Sequence, residues 1–149
     1  MRADAETVLL APSDRVFAVL SDLGRWPAWL DVVTRAEPDG ARAWRVRLGL
    51  SLGPASIGYD VRMVRVSALP GGDGREQRDR LRFERDEGDG RDDHSMVVID
   101  VSLVATGGRT TATLMLEIDK RIPLLDLQRQ LDRRAARATR RLQELLDET

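Results

Sequence analysis

A chain of 149 residues with 42% apolar and 33% charged side chains has the length of one domain and enough apolar material to fold around a core. Its formal charge of −1 speaks against a general binder of nucleic acid or anionic membrane surfaces, which would carry an excess of basic residues. Cysteine is absent, which excludes disulfides, thiolate nucleophiles and cysteine metal sites.

The opening residues, Met1-Arg2-Ala3-Asp4-Ala5-Glu6, are acidic where a secretory signal needs an unbroken apolar stretch. No apolar run approaches the ~18–20 residues that span a bilayer, so a cytoplasmic chain without an integral membrane segment is expected. Lys120 is the single lysine and asparagine is missing, a usage expected of a GC-rich, bacterial coding sequence.

Thr7-Val8-Leu9-Leu10 predicts a first strand ending at Ala11-Pro12. Ser13 is the predicted N-cap of a helix, with Asp14 near the positive end of its dipole. Val16, Phe17, Val19, Leu20 and Leu23 recur at helical spacing, and Gly24 is expected to stop the run. Trp26-Pro27-Ala28-Trp29-Leu30 predicts a second short helix with Pro27 in its first turn.

From Asp31 onward the period becomes two. Trp44, Val46, Leu48 and Leu50 alternate with polar or small residues, as do Ile57, Tyr59, Val61 and Met63, then Leu81 and Phe83. Val97, Ile99, Val101 and Leu103 repeat the pattern, followed by Ala112, Leu114, Leu116 and Ile118. The connections at 38–40, 52–54, 70–74, 88–90 and 106–108 carry glycine, proline or aspartate, and none has room for a crossover helix. Successive strands should therefore pair as antiparallel hairpins in a six-stranded meander, with the first strand completing the sheet.

Ile122-Pro123 is expected to open a last helix running to about Leu146. Leu124, Leu127, Leu131, Ala135, Ala138, Leu142 and Leu145 fall on one arc, and Arg129, Arg133, Arg137, Arg140 and Arg141 on the opposite side. The fold class is therefore α+β: one domain over 1–149, with a seven-stranded curved antiparallel sheet around a long C-terminal helix and two short helices after the first strand.

Ala11-Pro12, Val16-Phe17, Leu20, Asp22 and Trp26-Pro27-Ala28-Trp29-Leu30 resemble the opening signature of the START-like, or SRPBCC, superfamily. Leu50 to Tyr59, with the Gly53-Pro54 turn, is similar to the branch that holds polyketide cyclase/dehydrase-like proteins and relatives of a carbon monoxide dehydrogenase subunit. The resemblance covers almost the whole chain and implies the helix-grip fold. For function it implies a small hydrophobic ligand such as a lipid, quinone or polyketide-like molecule, with no cofactor.

Ala135 and Ala138 stand mid-stripe where leucines would fill space, which leaves either a cavity for an apolar guest or close helix–sheet packing. Lining such a cavity would be Trp44, Val46, Leu48, Tyr59, Val61, Met63, Phe83, Ile99, Leu114 and Leu116 from the sheet, and Leu131, Ala135 and Ala138 from the helix. Trp26 and Trp29 are expected at the wide end as core or gate residues, with Trp29 also within reach of the guest.

Tyr59 is the only tyrosine, either a satisfied core side chain or a group that orients or protonates a ligand carbonyl. Arg85 points inward and can polarise that carbonyl if the alternation of Leu81 and Phe83 continues; if the strand ends at Glu84 it is solvated. His94, the only histidine, follows Asp92-Asp93 and is read as a solvated strand-start residue rather than a zinc ligand or triad member. Three functions follow: a carrier of a small hydrophobic molecule, a polyketide cyclase/dehydrase-like enzyme using Tyr59 and Arg85, and an accessory protein of a larger complex. The arginine stripe would suit an acidic protein partner, and a homodimer is a further possibility.

Overall fold

Every run of period two becomes a strand. The computed structural model describes residues 1–69, 78–91, 93–120, 122 and 125–148. β1 (Arg2–Leu9) leads into α1 (Ser13–Leu20) and a 3-10 helix over Leu23–Ala28. Six strands follow: β2 (Val33–Pro38), β3 (Ala43–Leu52), β4 (Ala55–Leu69), β5 (Arg78–Arg85), β6 (Val97–Thr106) and β7 (Arg109–Ile118). The helix α2 (Leu127–Asp147) comes last. The expected connection at 70–74, Asp92, Pro123 and Leu124 lie outside the described residues.

All strands join one antiparallel sheet of seven in the order β1-β7-β6-β5-β4-β3-β2. The first strand thus pairs with the last, and the rest is the meander that short connections require. Two tight turns fix its register: Leu52 faces Ala55 across Gly53-Pro54, and Thr106 faces Arg109 across Gly107-Gly108. Gly107 and Gly108 both hold positive φ, at 57° and 81°, the left-handed pair that a two-residue hairpin turn needs. The curled sheet and its helix form the α+β helix-grip arrangement.

The concave face carries the core. Phe83 stands edge-on to both Trp26 and Trp44 with ring centroids 5.9 Å away, and Met63, Leu81, Leu103 and Val97 are buried in the same core. From α2, Leu127, Leu131, Ala138, Leu142 and Leu146 are buried against this face. Leu146 takes the place expected of Leu145, which is only half-buried.

Local boundaries differ from the sequence reading for identifiable reasons. β1 begins at Arg2 and pairs with β7 along its whole length, from Arg2–Glu117 to Leu9–Thr110. Before Thr7 its inward residues are Ala3 and Ala5, too small to register as an apolar run. Pro12, not Ser13, caps α1: its carbonyl accepts from the Arg15 and Val16 amides at 3.2 Å, without a side-chain cap. Gly24 does not stop a helix; it lies inside the 3-10 helix, donating to the Asp22 carboxylate at 2.9 Å, and Pro27 sits near that helix's end. α2 starts at Leu127 because Asp126 caps it, accepting from the Arg129 amide at 3.0 Å.

Three glutamines fix α2 to the sheet. Gln128 accepts from the Asp4 amide at 2.9 Å and donates to the Asp4 carbonyl at 2.8 Å. Gln143 accepts from the Leu10 amide at 2.8 Å, with a long 3.5 Å return contact to the Leu10 carbonyl. Gln130, buried, forms the same two-way pair with Ser51 on β3, at 3.1 and 2.7 Å. Each carboxamide satisfies a backbone donor and acceptor that strand pairing leaves open. Asp31 receives Arg141 at 2.8 Å and lies 3.8 Å from Arg137, which relieves the like-charge spacing of the arginine stripe.

Candidate functional site

An apolar cleft opens between the β1 edge and α2. Ala5 and Thr7 of β1, Ala112 and Leu114 of β7 and Val101 of β6 form its floor. Leu131, Ala135, Ala138, Thr139 and Leu142 of α2 face them, Leu20, Trp29 and Leu30 close one side, and Glu6 stands at the rim. The cleft and its mouth together hold about 520 Å³ not occupied by atoms, of which about 50 Å³ admits the centre of a water-sized sphere. In this conformation the space is narrow compared with the roughly 300–1,000 Å³ of typical ligand pockets. A smaller hollow deeper in the core is bordered by Trp26, Leu48, Ile99, Leu114, Leu116 and Leu131.

Polar groups in the cleft are few. The Thr7 and Thr139 hydroxyls meet at 2.7 Å, and Thr139 donates to the Ala135 carbonyl at 2.9 Å. Trp29 is 7% exposed, and its indole Nε1 is buried without a hydrogen-bond partner. The only other such side-chain atom among the described residues is Arg65 Nε, on an arginine that donates through Nη1 to the Ser21 carbonyl at 2.8 Å.

The opposite end of the concave face is built differently. Arg85 closes β5 and does point inward, its side chain 12% exposed, so the solvated alternative is overturned. It donates through Nη1 to the Tyr59 hydroxyl at 2.9 Å and the Ser95 carbonyl at 3.1 Å, and through Nε to Glu87 at 2.9 Å. Its guanidinium and the Lys120 ammonium each lie 5.4 Å from the Tyr59 ring centroid, within cation–π range. Burial pushes the Glu87 carboxyl up, but hydrogen bonds from the Arg62 amide and Arg85, with the charges of Arg85 and Arg45, outweigh it and hold the group below the ordinary range.

His94 precedes β6 with its side chain 31% exposed, its Nε2 2.9 Å from Asp89 Oδ2. That contact, followed by the Arg91 amide, lowers the Asp89 carboxyl. Among the described residues no three His, Asp or Glu side chains are placed to hold a metal ion.

No protein-family model matches the chain, and no curated protein matches it significantly. Solved structures do. A STAR-related lipid transfer protein from Xanthomonas axonopodis superposes with a TM-score of 0.68 at 18% identity, covering 97% of this chain and 84% of that one. A START superfamily protein from Mycobacterium smegmatis gives 0.64 at 10% identity, over 99% and 97% of the two chains. The fold is START-like. An aromatase/cyclase from Streptomyces sp. R1128 shares it as well, with a TM-score of 0.58 and 14% identity over 99% of this chain and 94% of that one.

Within this START-like frame the residues singled out from the sequence separate into four groups. Trp29, Leu114, Leu131, Ala135 and Ala138 border the cleft, while Leu48, Ile99 and Leu116 border the deeper hollow. Trp44, Val46, Val61, Met63 and Phe83 are buried in the packed centre. Tyr59 and Arg85 pair with each other at the far end, and neither borders the cleft.

Ala5, Thr7, Leu30 and Thr139 were not legible as cleft residues. Ala5 and Thr7 belong to a strand whose inward side chains are small, and Thr139 lies beside the apolar arc of α2 rather than on it. Among the described residues no helix is long and apolar enough to cross a membrane.

Proposed function

We propose that this chain binds a small, predominantly hydrophobic molecule in the cleft between β1, β7 and α2. The observation that carries the reading is a nearly all-apolar lining at the place where α2 presents Ala135 and Ala138 instead of larger residues. The shared fold with a lipid transfer protein and an aromatase/cyclase supports it. A lipid, quinone or polyketide-like molecule is the class of guest, admitted as α2 shifts from the β1 edge. Affinity comes from apolar surface removed from water, about 25 cal/mol per Å² before the cost of association.

Native mass spectrometry of freshly purified protein, followed by thermal shift against an apolar library, tests the reading. Ala135→Leu and Ala138→Leu, each adding three carbons inside the cleft, should abolish retention of the guest while leaving the circular dichroism spectrum unchanged. A guest retained by both variants places binding elsewhere, and the absence of any guest or shift in the natural chain removes the proposal.

A second reading rests on the 2.9 Å contact between Arg85 and the Tyr59 hydroxyl. A phenol that accepts from a guanidinium keeps its own proton for a ligand carbonyl, the acid step a cyclase/dehydrase-like enzyme needs. Tyr59→Phe should then abolish most turnover of a polyketide-like substrate without changing its binding. Unchanged turnover eliminates the phenol as the acid.

A further inference from the structure

Trp29 packs its ring against Trp26 with centroids 4.9 Å apart and borders the cleft. The two indoles differ in one respect. Trp26 Nε1 donates to the Leu20 carbonyl at 3.0 Å, whereas Trp29 Nε1 is equally removed from water and donates to nothing. Native interiors leave few donors in that state, because a buried N–H without an acceptor forfeits its hydration and recovers nothing. The fold itself supplies no acceptor for this N–H.

The remaining polar side chains of the cleft narrow the class of that guest. Thr139 gives its proton to the Ala135 carbonyl, which makes Thr7 the donor in the hydroxyl pair. Both hydroxyl protons are thus committed within the protein, leaving Thr7 Oγ1 as an acceptor only. Glu6 is exposed and alternates with the inward Ala5 and Thr7, and no basic residue lines the cleft. Among the side chains that border the cleft, the Trp29 indole is the one donor without an acceptor, and there is no cation to pair a carboxylate.

We infer that the guest is a neutral, largely apolar molecule bearing a carbonyl-type oxygen, and that Trp29 Nε1 donates a hydrogen bond to that oxygen. A pure hydrocarbon leaves the indole unpaired, and a carboxylate finds no cation in the lining. This rests on the cleft being the binding site, as proposed above.

Three probes separate the possibilities on the full chain at neutral pH: 2-hexanone, hexane and hexanoate. The indole ¹H–¹⁵N signal of Trp29, identified by its loss in Trp29→Phe, should move downfield with 2-hexanone and far less with hexane. Trp29→Phe should weaken 2-hexanone roughly three- to tenfold, the value of one net hydrogen bond, and leave hexane within about twofold. Hexanoate should bind most weakly.

Equal weakening of ketone and hydrocarbon, or an unmoved indole signal with 2-hexanone bound, overturns the role of Trp29 while the cleft stands. Hexanoate binding more tightly than 2-hexanone overturns the neutral class. Failure of all three probes overturns the cleft and this inference together. Should Trp29→Phe not fold, the indole signal of the natural chain, assigned through its backbone, decides alone.

Discussion

The two ends of the concave face solve the same problem in opposite ways. At the Tyr59 end the sheet buries charge and then satisfies it: Arg85 has Glu87, the Tyr59 hydroxyl and the Ser95 carbonyl within 3.1 Å. At the β1–α2 end it buries almost no polarity, fills the space with alanine and threonine, and leaves one indole N–H unpaired. A saturated network rigidifies; a small-residue cleft with one idle donor is receptive. The contrast supports the cleft, rather than the aromatic centre, as the place proposed for a guest.

Breaking the saturated end should have the larger effect on stability. Glu87→Ala strands Arg85 with its charge shielded, and removing one partner of a fully buried ion pair costs about 3–5 kcal/mol. With both side chains 12% exposed and two other acceptors left to Arg85, about 2–3 kcal/mol is expected from urea unfolding. The acid limb has a definite sign. The folded Glu87 carboxyl lies below its ordinary 4.5, so its contribution is complete above that value and fades as pH falls toward the depressed one. Stability should decline more steeply across that window in the natural chain than in Glu87→Ala, and parallel profiles would exclude the linkage.

Loosening the receptive end should matter less. Gln128→Ala removes a two-way carboxamide pair at an exposed edge and should lower stability by about 1 kcal/mol, with faster amide exchange at Asp4. Guest uptake should accelerate in the same variant if α2 moves from β1 during binding. Unchanged uptake would separate the clamp from access.

The sheet was legible because its strands alternate over long stretches and their turns are short; β3 reads Trp44, Val46, Leu48 and Leu50 inward without exception. Helix boundaries were less so, since Pro12 caps through its carbonyl and Asp126 lies past the proline that marks the segment. Arg85 was left open because alternation at a strand's last residue is decided by its partner, and Glu87 lies beyond the strand. The cleft was legible on α2, where Ala135 and Ala138 leave room, but not along β1. Large side chains such as Trp44 and Phe83 draw attention, yet they interlock with each other, whereas open space lies beside residues whose smallness carries no pattern. Trp29 was within view, but the lack of a partner for its N–H is a property of the assembled fold.

A sheet that does not close into a barrel keeps two free margins, and each invites strand addition from another molecule. Along β1 the α2 carboxamides occupy the hydrogen-bonding positions at Asp4 and Leu10. β2 receives no such carboxamide among the described residues, but its register breaks between Val33 and Arg35, it carries Arg35 and Glu37 outward, and it ends on Pro38. The bulge, the charges and a residue without an N–H make it a poor template for a neighbour. The two margins thus carry unlike guards, one a docked helix and the other written into six residues of the strand itself.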